Sequence, residues 1–271
     1  MLYGKRVPGT GGKSLQKIRA AGADVRIVSS ASECIPIALG NPDRQVVFMG
    51  IGFETTTPTI ASMVKTCKVR GIGNVTVFSA HKVIPPAISA LLDDRDLAID
   101  AFLCPGHVST ITGTAAYGEI PARGCAAVIT GFEPVDILEG IYMILGQILK
   151  HDYSVEIQYT RGVSPQGNVK AKGLIEEVFT PVDARWRGLG VIPGSGLEFR
   201  DEYREFDART RFEIPEIDSR EPAGCRCGEV LKGIIRPSDC PLFRHACTPD
   251  SPVGPCMVSQ EGTCQAYYKC S

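Results

Sequence analysis

The stretch VVFMGIGFETTTP, from Val46 to Pro58, decides how the chain is read. An apolar run of strand length ends in a glycine-containing turn. Threonines and a proline suited to the first turn of a helix come next. Outward from this stretch the same order recurs. The apolar runs are VVFMGI, NVTVFSA from Asn74, the segment Ile99 to Cys104, and AAVITGF from Ala126. Each precedes a polar turn and a helical stretch, beginning near Pro58, Pro85, Thr112 and Pro134. The stretch from Pro134 to about Lys150 repeats apolar residues at three- and four-residue steps and predicts a helix. Upstream, Ser14 is placed to cap a short helix that Gly22 ends, and Val25 to Val28 is read as a strand. Strands alternating with helices predict an α/β chain with a doubly wound, Rossmann-like parallel sheet.

Residues 151–215 are mixed: Leu174 to Phe179 is read as helical, and GLGVIPGSGL, Gly188 to Leu197, as a structured loop. After Glu216 proline, glycine and cysteine dominate, and a boundary is placed there. Residues 1–215 form the expected α/β region, divisible into two lobes with 45–150 as one of them. Residues 216–271 form a cysteine-rich domain too poor in apolar residues to hold itself without a staple.

The 271 residues are 44% hydrophobic and 22% charged, as in a globular protein. A net charge of −1 gives no support to nucleic-acid binding, and no apolar run is long enough to span a bilayer. The N-terminus lacks the apolar stretch of a signal peptide, so the expected compartment is the cytoplasm. Structural disulfides are rare there, and eleven cysteines need another explanation. Cys34, Cys67, Cys104 and Cys125 are scattered and read as packing residues, although Cys104 ends a strand beside the expected crevice. Seven cysteines fall at or after Cys225. Thiolates suit soft metals and iron–sulfur clusters, and prolines beside Cys240 and Cys256 stiffen their turns. No pair has the two-to-four-residue spacing of a zinc ribbon, which favours iron–sulfur over structural zinc. A disulfide scaffold ranks third.

The run GCRCGEVLKG, then CPLF, ACTP, PVGPCMVSQEGTC and AYY, resembles the C-terminal signature of the HypD family of hydrogenase maturation factors. The resemblance continues upstream through GIGFETTTP, SAHK, FLCPGHVS, GFEP and LGVIPGSGL, in order over essentially the whole chain. It implies a [4Fe–4S] cluster on Cys225, Cys240, Cys247 and Cys264, with the spacing Cys225-x14-Cys240-x6-Cys247-x16-Cys264. It also implies a redox-active pair, Cys227 and Cys256, beside that cluster. The implied partners are HypC and HypE, with which the family assembles the iron centre bearing cyanide and carbon monoxide for [NiFe] hydrogenase. Two family motifs, CGTHT and CPVC, do not occur in this sequence; both are expected ahead of Met1. Without them a chain of this extent is expected to bind the cluster and to fail in building the Fe(CN)2CO centre.

Polar residues also gather after successive strand runs: Glu54, His81, His107 and Glu133, with Thr57 and Ser109. The carboxyl edge of a parallel sheet borders a ligand crevice, and helix N-termini there attract small anions. The four are expected to line one crevice and hold a small ligand or a partner's iron centre. For Thr57 and Ser109 helix capping is the preferred reading. PGTGGKS, Pro8 to Ser14, lacks the first glycine of a P-loop, since Val7 stands in its place. Cys270 lies outside the signature. The reading from a different class is an α/β enzyme for a small anionic substrate with a structural zinc tail.

Overall fold

The structure, a computed structural model, describes residues 14–214 and 222–271. The PGTGGKS stretch up to Lys13 and the expected boundary at Glu216 lie outside the described residues. In chain order the helices and strands are α1 Leu15–Ala20, α2 Cys34–Leu39, β1 Val46–Gly52, α3 Thr57–Val69, β2 Val75–His81, α4 Ile84–Leu92, β3 Ala101–Pro105, α5 Gly106–Thr112, α6 Glu119–Ala122, β4 Ala126–Thr130, α7 Pro134–Lys150, β5 Val155–Ile157, α8 Val169–Val178, β6 Phe179–Trp186, β7 Gly190–Phe199, α9 Ala208–Arg211, α10 Cys227–Leu231 and α11 Thr263–Cys270. The class is α/β. Among the described residues no helix is long and apolar enough to cross a membrane.

The parallel strands do not form one continuous sheet, as the alternation of runs suggests, but two. β1 pairs with β2 from Val46↔Val75 to Gly52↔His81, and β4 lies between β3 and β5. α4 lies at the division: it rests against β7, while its Ile84, Ile88 and Leu92 pack in the core of the second sheet. One core therefore joins residues from Ala31 to Val77 with residues from Val178 to Phe206. Separate clusters pack on the two faces of the second sheet. β4, buried at every position, takes the central place its unbroken AAVIT run fits. Gln147 ties α7 to this strand. Its Oε1 accepts from the backbone N–H of Ala127 and Ser154, while its Nε2 donates to the Ala127 carbonyl and to Glu156.

Ser14 accepts from the Lys17 N–H and caps α1 as expected. Three other expectations are corrected. Val25 to Val28 is not a strand: it joins no ladder among the described residues, and Ile27 is 83% exposed. Thr112 ends a helix rather than starting one, because Gly113 turns at φ +79° against the Pro165 carbonyl, where any Cβ would collide. Gly188 to Leu197 is not a loop. It is mostly β7, paired antiparallel with β6 around a register shift between Val182 and Ala184. Gly196 permits that shift, since a Cβ there would sit 2.8 Å from Ala184 Cβ. Leu174 to Val178 is helical, and Phe179 begins β6.

Gln147→Leu removes four hydrogen bonds at about constant volume and leaves buried strand groups unpaired. It should lower the free energy of unfolding by roughly 1–3 kcal/mol in a urea titration; an unchanged midpoint would show that β4 holds α7 without it.

Candidate functional site

Six cysteines of the C-terminal segment line one cavity: Cys225, Cys227, Cys240, Cys247, Cys256 and Cys264, with Leu242, Phe243 and Met257 as apolar wall. Short turns deliver them. Cys225 comes after a turn closed by its own N–H on the Pro222 carbonyl. Cys240 ends the turn Pro237–Asp239, in which Asp239 accepts from the Arg236 N–H. Cys247 donates its N–H to the Leu242 carbonyl, and its sulfur accepts from the Val253 N–H at 3.3 Å. Cys256 lies in the turn Pro255–Met257, and Cys264 in the first turn of α11. Proline thus opens two of these turns and fixes φ there before packing begins.

Cys227 and Cys256 are joined as a disulfide with Cα atoms 6.4 Å apart, within the usual span. The other four thiols face one another across the cavity. Burial pushes the Cys264 thiol up to about 11, and Cys247, Cys240 and Cys225 add to the shift by repulsion between neighbouring thiolates. Gly254 borders this space: a Cβ there would stand 2.5 Å from Cys225 Sγ. Among the described residues no three His, Cys, Asp or Glu side chains converge closely enough to hold a single metal ion. The thiols surround a space instead of meeting at a point. Cys270 is exposed on the last turn of α11.

The strand-end residues divide into two pairs. Glu54 and His81, after β1 and at the end of β2, are buried. His107 and Glu133, after β3 and β4, are exposed: His107 stacks on Phe132 with ring centres 4.4 Å apart, and Glu133 lies 3.6 Å from Arg161. Glu54 Oε1 accepts from the Ile84 N–H at 2.8 Å, while Oε2 is buried with no partner. Burial raises the pKa of this carboxyl. Close by, Ser109 donates to the Pro105 carbonyl and so accepts from the Tyr117 hydroxyl. Tyr117 is fully buried, and it also feels the charge of Glu54 and Cys104.

His81 carries a defined tautomer. Ser79 Oγ donates to the Leu197 carbonyl at 2.7 Å, so His81 Nδ1, 3.1 Å from that hydroxyl, must supply the proton of their bond. Nε2 is left as a buried acceptor without a partner. Burial holds the imidazole down to about 4. Thr57 donates to the Phe53 carbonyl and fixes the turn, but it does not cap α3: the N-cap position is Thr56, and no side chain there accepts a helix N–H. Sequence reasoning missed Tyr117, which no motif marks, and Gly188, which abuts the cysteine segment at Gly228. It also missed an exposed apolar stripe on α7: Val135, Leu138, Tyr142, Leu145 and Leu149.

Neutral His81 in the fold, against an ordinary value of 6.5, means that the unfolded chain alone takes up a proton as pH falls from 6.5 to about 4. Stability contributed by His81 is complete above pH 6.5 and lost through that window, by up to roughly 3 kcal/mol. Glu54 acts in the opposite sense, its contribution present below about 4.5 and lost as pH rises through its raised folded value. His81→Asn should flatten the acid limb of the denaturation profile, and an unchanged limb would assign it to other groups. Gly254→Ala should crowd Cys225 and destabilise the cysteine segment, read as faster alkylation of its thiols in native buffer; an unchanged rate would show that the cavity wall yields.

Comparison with known proteins places this geometry. The HypD family model, described as the hydrogenase formation hypA family, matches residues 3–271. A putative hydrogenase expression/formation protein of Methanocaldococcus jannaschii is 44% identical over 265 residues, covering 97% of this chain and 74% of that protein. Hydrogenase maturation factor HypD2 of Bradyrhizobium diazoefficiens is 44% identical over 277 residues, 98% of this chain and 73% of the relative. HypD of Escherichia coli is 44% identical over 266 residues, 97% and 71% respectively. With its signature cysteines gathered on one cavity and its similarity running almost end to end, the chain belongs to the HypD family of hydrogenase formation proteins.

Proposed function

We propose that this chain is a [NiFe] hydrogenase maturation factor that takes part in assembling the Fe(CN)2CO centre, working with HypC and HypE in the cytoplasm. The observation that carries the reading is the single cavity that gathers four signature thiols and the Cys227–Cys256 disulfide.

Those residues fit a [4Fe–4S] cluster as its ligands, through Cys225, Cys240, Cys247 and Cys264. A cubic cluster takes one thiolate at each iron, so its ligands surround a space, as these do, instead of converging on one ion. The apolar wall and the Val253 N–H on Cys247 Sγ are the surroundings that tune such a group. When bound there, a cluster supplies electrons one at a time.

The chain's own residues do the remaining work. Cys227 and Cys256 exchange disulfide for dithiol, taking up two electrons and two protons. Glu54 and His81 each keep one buried polar atom with no partner, the state of groups that await a ligand or a proton. His107 and Glu133 offer an exposed imidazole and carboxylate beside Phe132, suited to meeting a partner's iron centre as it arrives. The iron with its cyanide and carbon monoxide ligands is cargo here. The apolar stripe of α7 is of the kind protein partners cover. Cys34, Cys67 and Cys104, buried thiols without a bridge, suit a reducing compartment.

Anaerobically purified protein should be brown, with about four iron and four sulfide per chain. Each of Cys225→Ser, Cys240→Ser, Cys247→Ser and Cys264→Ser should lose most of the iron, while Cys227→Ser and Cys256→Ser keep it. A colourless protein with stoichiometric zinc would overturn the cluster and favour the α/β enzyme with a zinc tail.

A further inference from the structure

α10 is five residues long, and the first of them is Cys227. Both of its ends are held by the α/β body. At the front, Gly228 lies flat on the turn between β6 and β7, where a Cβ on Gly228 would collide with the Gly188 carbonyl oxygen. Gly188 turns at φ +82°, and a Cβ on it would stand 3.1 Å from the Gly228 nitrogen. Neither position has room for a side chain, so main chain meets main chain. At the back, the Lys232 carbonyl accepts from the Ala98 N–H at 2.9 Å, and Lys232 Nζ pairs with Asp94 at 2.6 Å. Gly233 closes this end, with a Cβ site 2.6 Å from the Ala98 carbonyl.

The two anchors belong to different cores. β6 and β7 contribute Phe179, Leu197 and Phe199 to the first. The segment after α4 contributes Leu97 to the second. α10 therefore spans both, with the redox thiol at the end that rests on the first.

We propose that Gly188 and Gly228 are positioning residues for Cys227. Their contact, braced by the Lys232–Asp94 pair at the far end of α10, sets the distance from Cys227 to Cys256. Disulfide exchange in the cavity thereby depends on how α10 seats on the two cores. This rests on the reading of Cys227–Cys256 as a redox pair. Two sulfurs bridge only when their Cβ atoms come within about 3.5–4.5 Å, so a small lift of α10 is enough to disfavour the bond. A methyl group at either glycine supplies that lift. Release of the Lys232 end loosens the brace without adding bulk near the sulfurs.

The test is a redox titration of the whole chain, purified anaerobically, against glutathione buffers. Alkylation and mass spectrometry read the oxidised fraction of Cys227 and Cys256. Gly228→Ala and Gly188→Ala should each lower the equilibrium constant for the disulfide at least tenfold, which for two electrons is about 30 mV. Iron content and visible absorbance should stay at the wild-type level. Lys232→Met should lower the constant at least twofold, and it decides the matter if a glycine variant does not fold. Constants within twofold of wild type for the folded glycine variants, or an unchanged one for Lys232→Met, overturn the proposal. A wild-type pair that stays reduced in every buffer overturns the disulfide reading itself, and this inference with it.

Discussion

The Glu54 carboxyl accepts the backbone N–H of Ile84, and the architecture depends on that bond. Ile84 is the first residue of α4, where the chain leaves one hydrophobic core for the other. An N-terminal helix N–H has no partner within its own helix, and Pro85 and Pro86 in the next two positions carry no N–H at all. Glu54 satisfies this group from the end of β1, and so fixes where α4 starts relative to the first sheet. α4 then takes Ile88 and Leu92 into the second core. The cost is a carboxyl buried on the apolar side, its other oxygen unpartnered and its pKa raised. A buried polar atom left in this state costs about 1–3 kcal/mol, which is reason to connect it with ligand binding or proton handling.

The tripeptide Gly-Phe-Glu occurs twice, and its two copies end differently. Gly52-Phe53-Glu54 runs into the junction of the cores, with Phe53 tilted against Trp186. Gly131-Phe132-Glu133 runs to the surface, where Phe132 stacks on His107 and Glu133 meets Arg161. Asp136, three residues after that glutamate, takes the buried place. It is bound by Arg161 and Gln158, and the Arg161 guanidinium holds its carboxyl down to about 2. Local sequence is the same up to the glutamate; the residues after each copy, and the core they enter, decide which acid is inside.

The cysteine-rich segment shows how little apolar mass a fold needs when other constraints act. Among the described residues its buried hydrophobic cluster is only Phe243, Cys247 and Met257. Turns opened by proline, the disulfide and the glycine contacts with the α/β body hold the rest. That economy leaves the interior to sulfur. Six cysteines share one cavity because few other side chains compete for it.

By itself the sequence determined the class, the helix starts near Pro58, Pro85 and Pro134, the cap at Ser14 and the crowding of seven cysteines at or after Cys225. These are local properties: period, proline placement, capping chemistry and spacing act within a few residues. Tertiary structure alone decided the split of the parallel strands into two sheets, because core membership depends on where a helix packs and not on its pattern. It made β7 a strand despite its glycines, since the partner β6 needs a close approach at the register shift. On α7 it decided which of the periodic apolar residues are covered. Val135, Leu138, Tyr142, Leu145 and Leu149 are exposed, while Met143, Ile144 and Ile148 pack on the second sheet and Gly140 and Gln147 lie against β4. At Gly140 the helix lies so close to Thr130 that no side chain fits, a condition set by a residue ten positions away and invisible to periodicity. The burial of Glu54 and His81, against the exposure of His107 and Glu133, has the same origin. Each stands at or just beyond a strand end, and only the neighbouring core determines whether water reaches it.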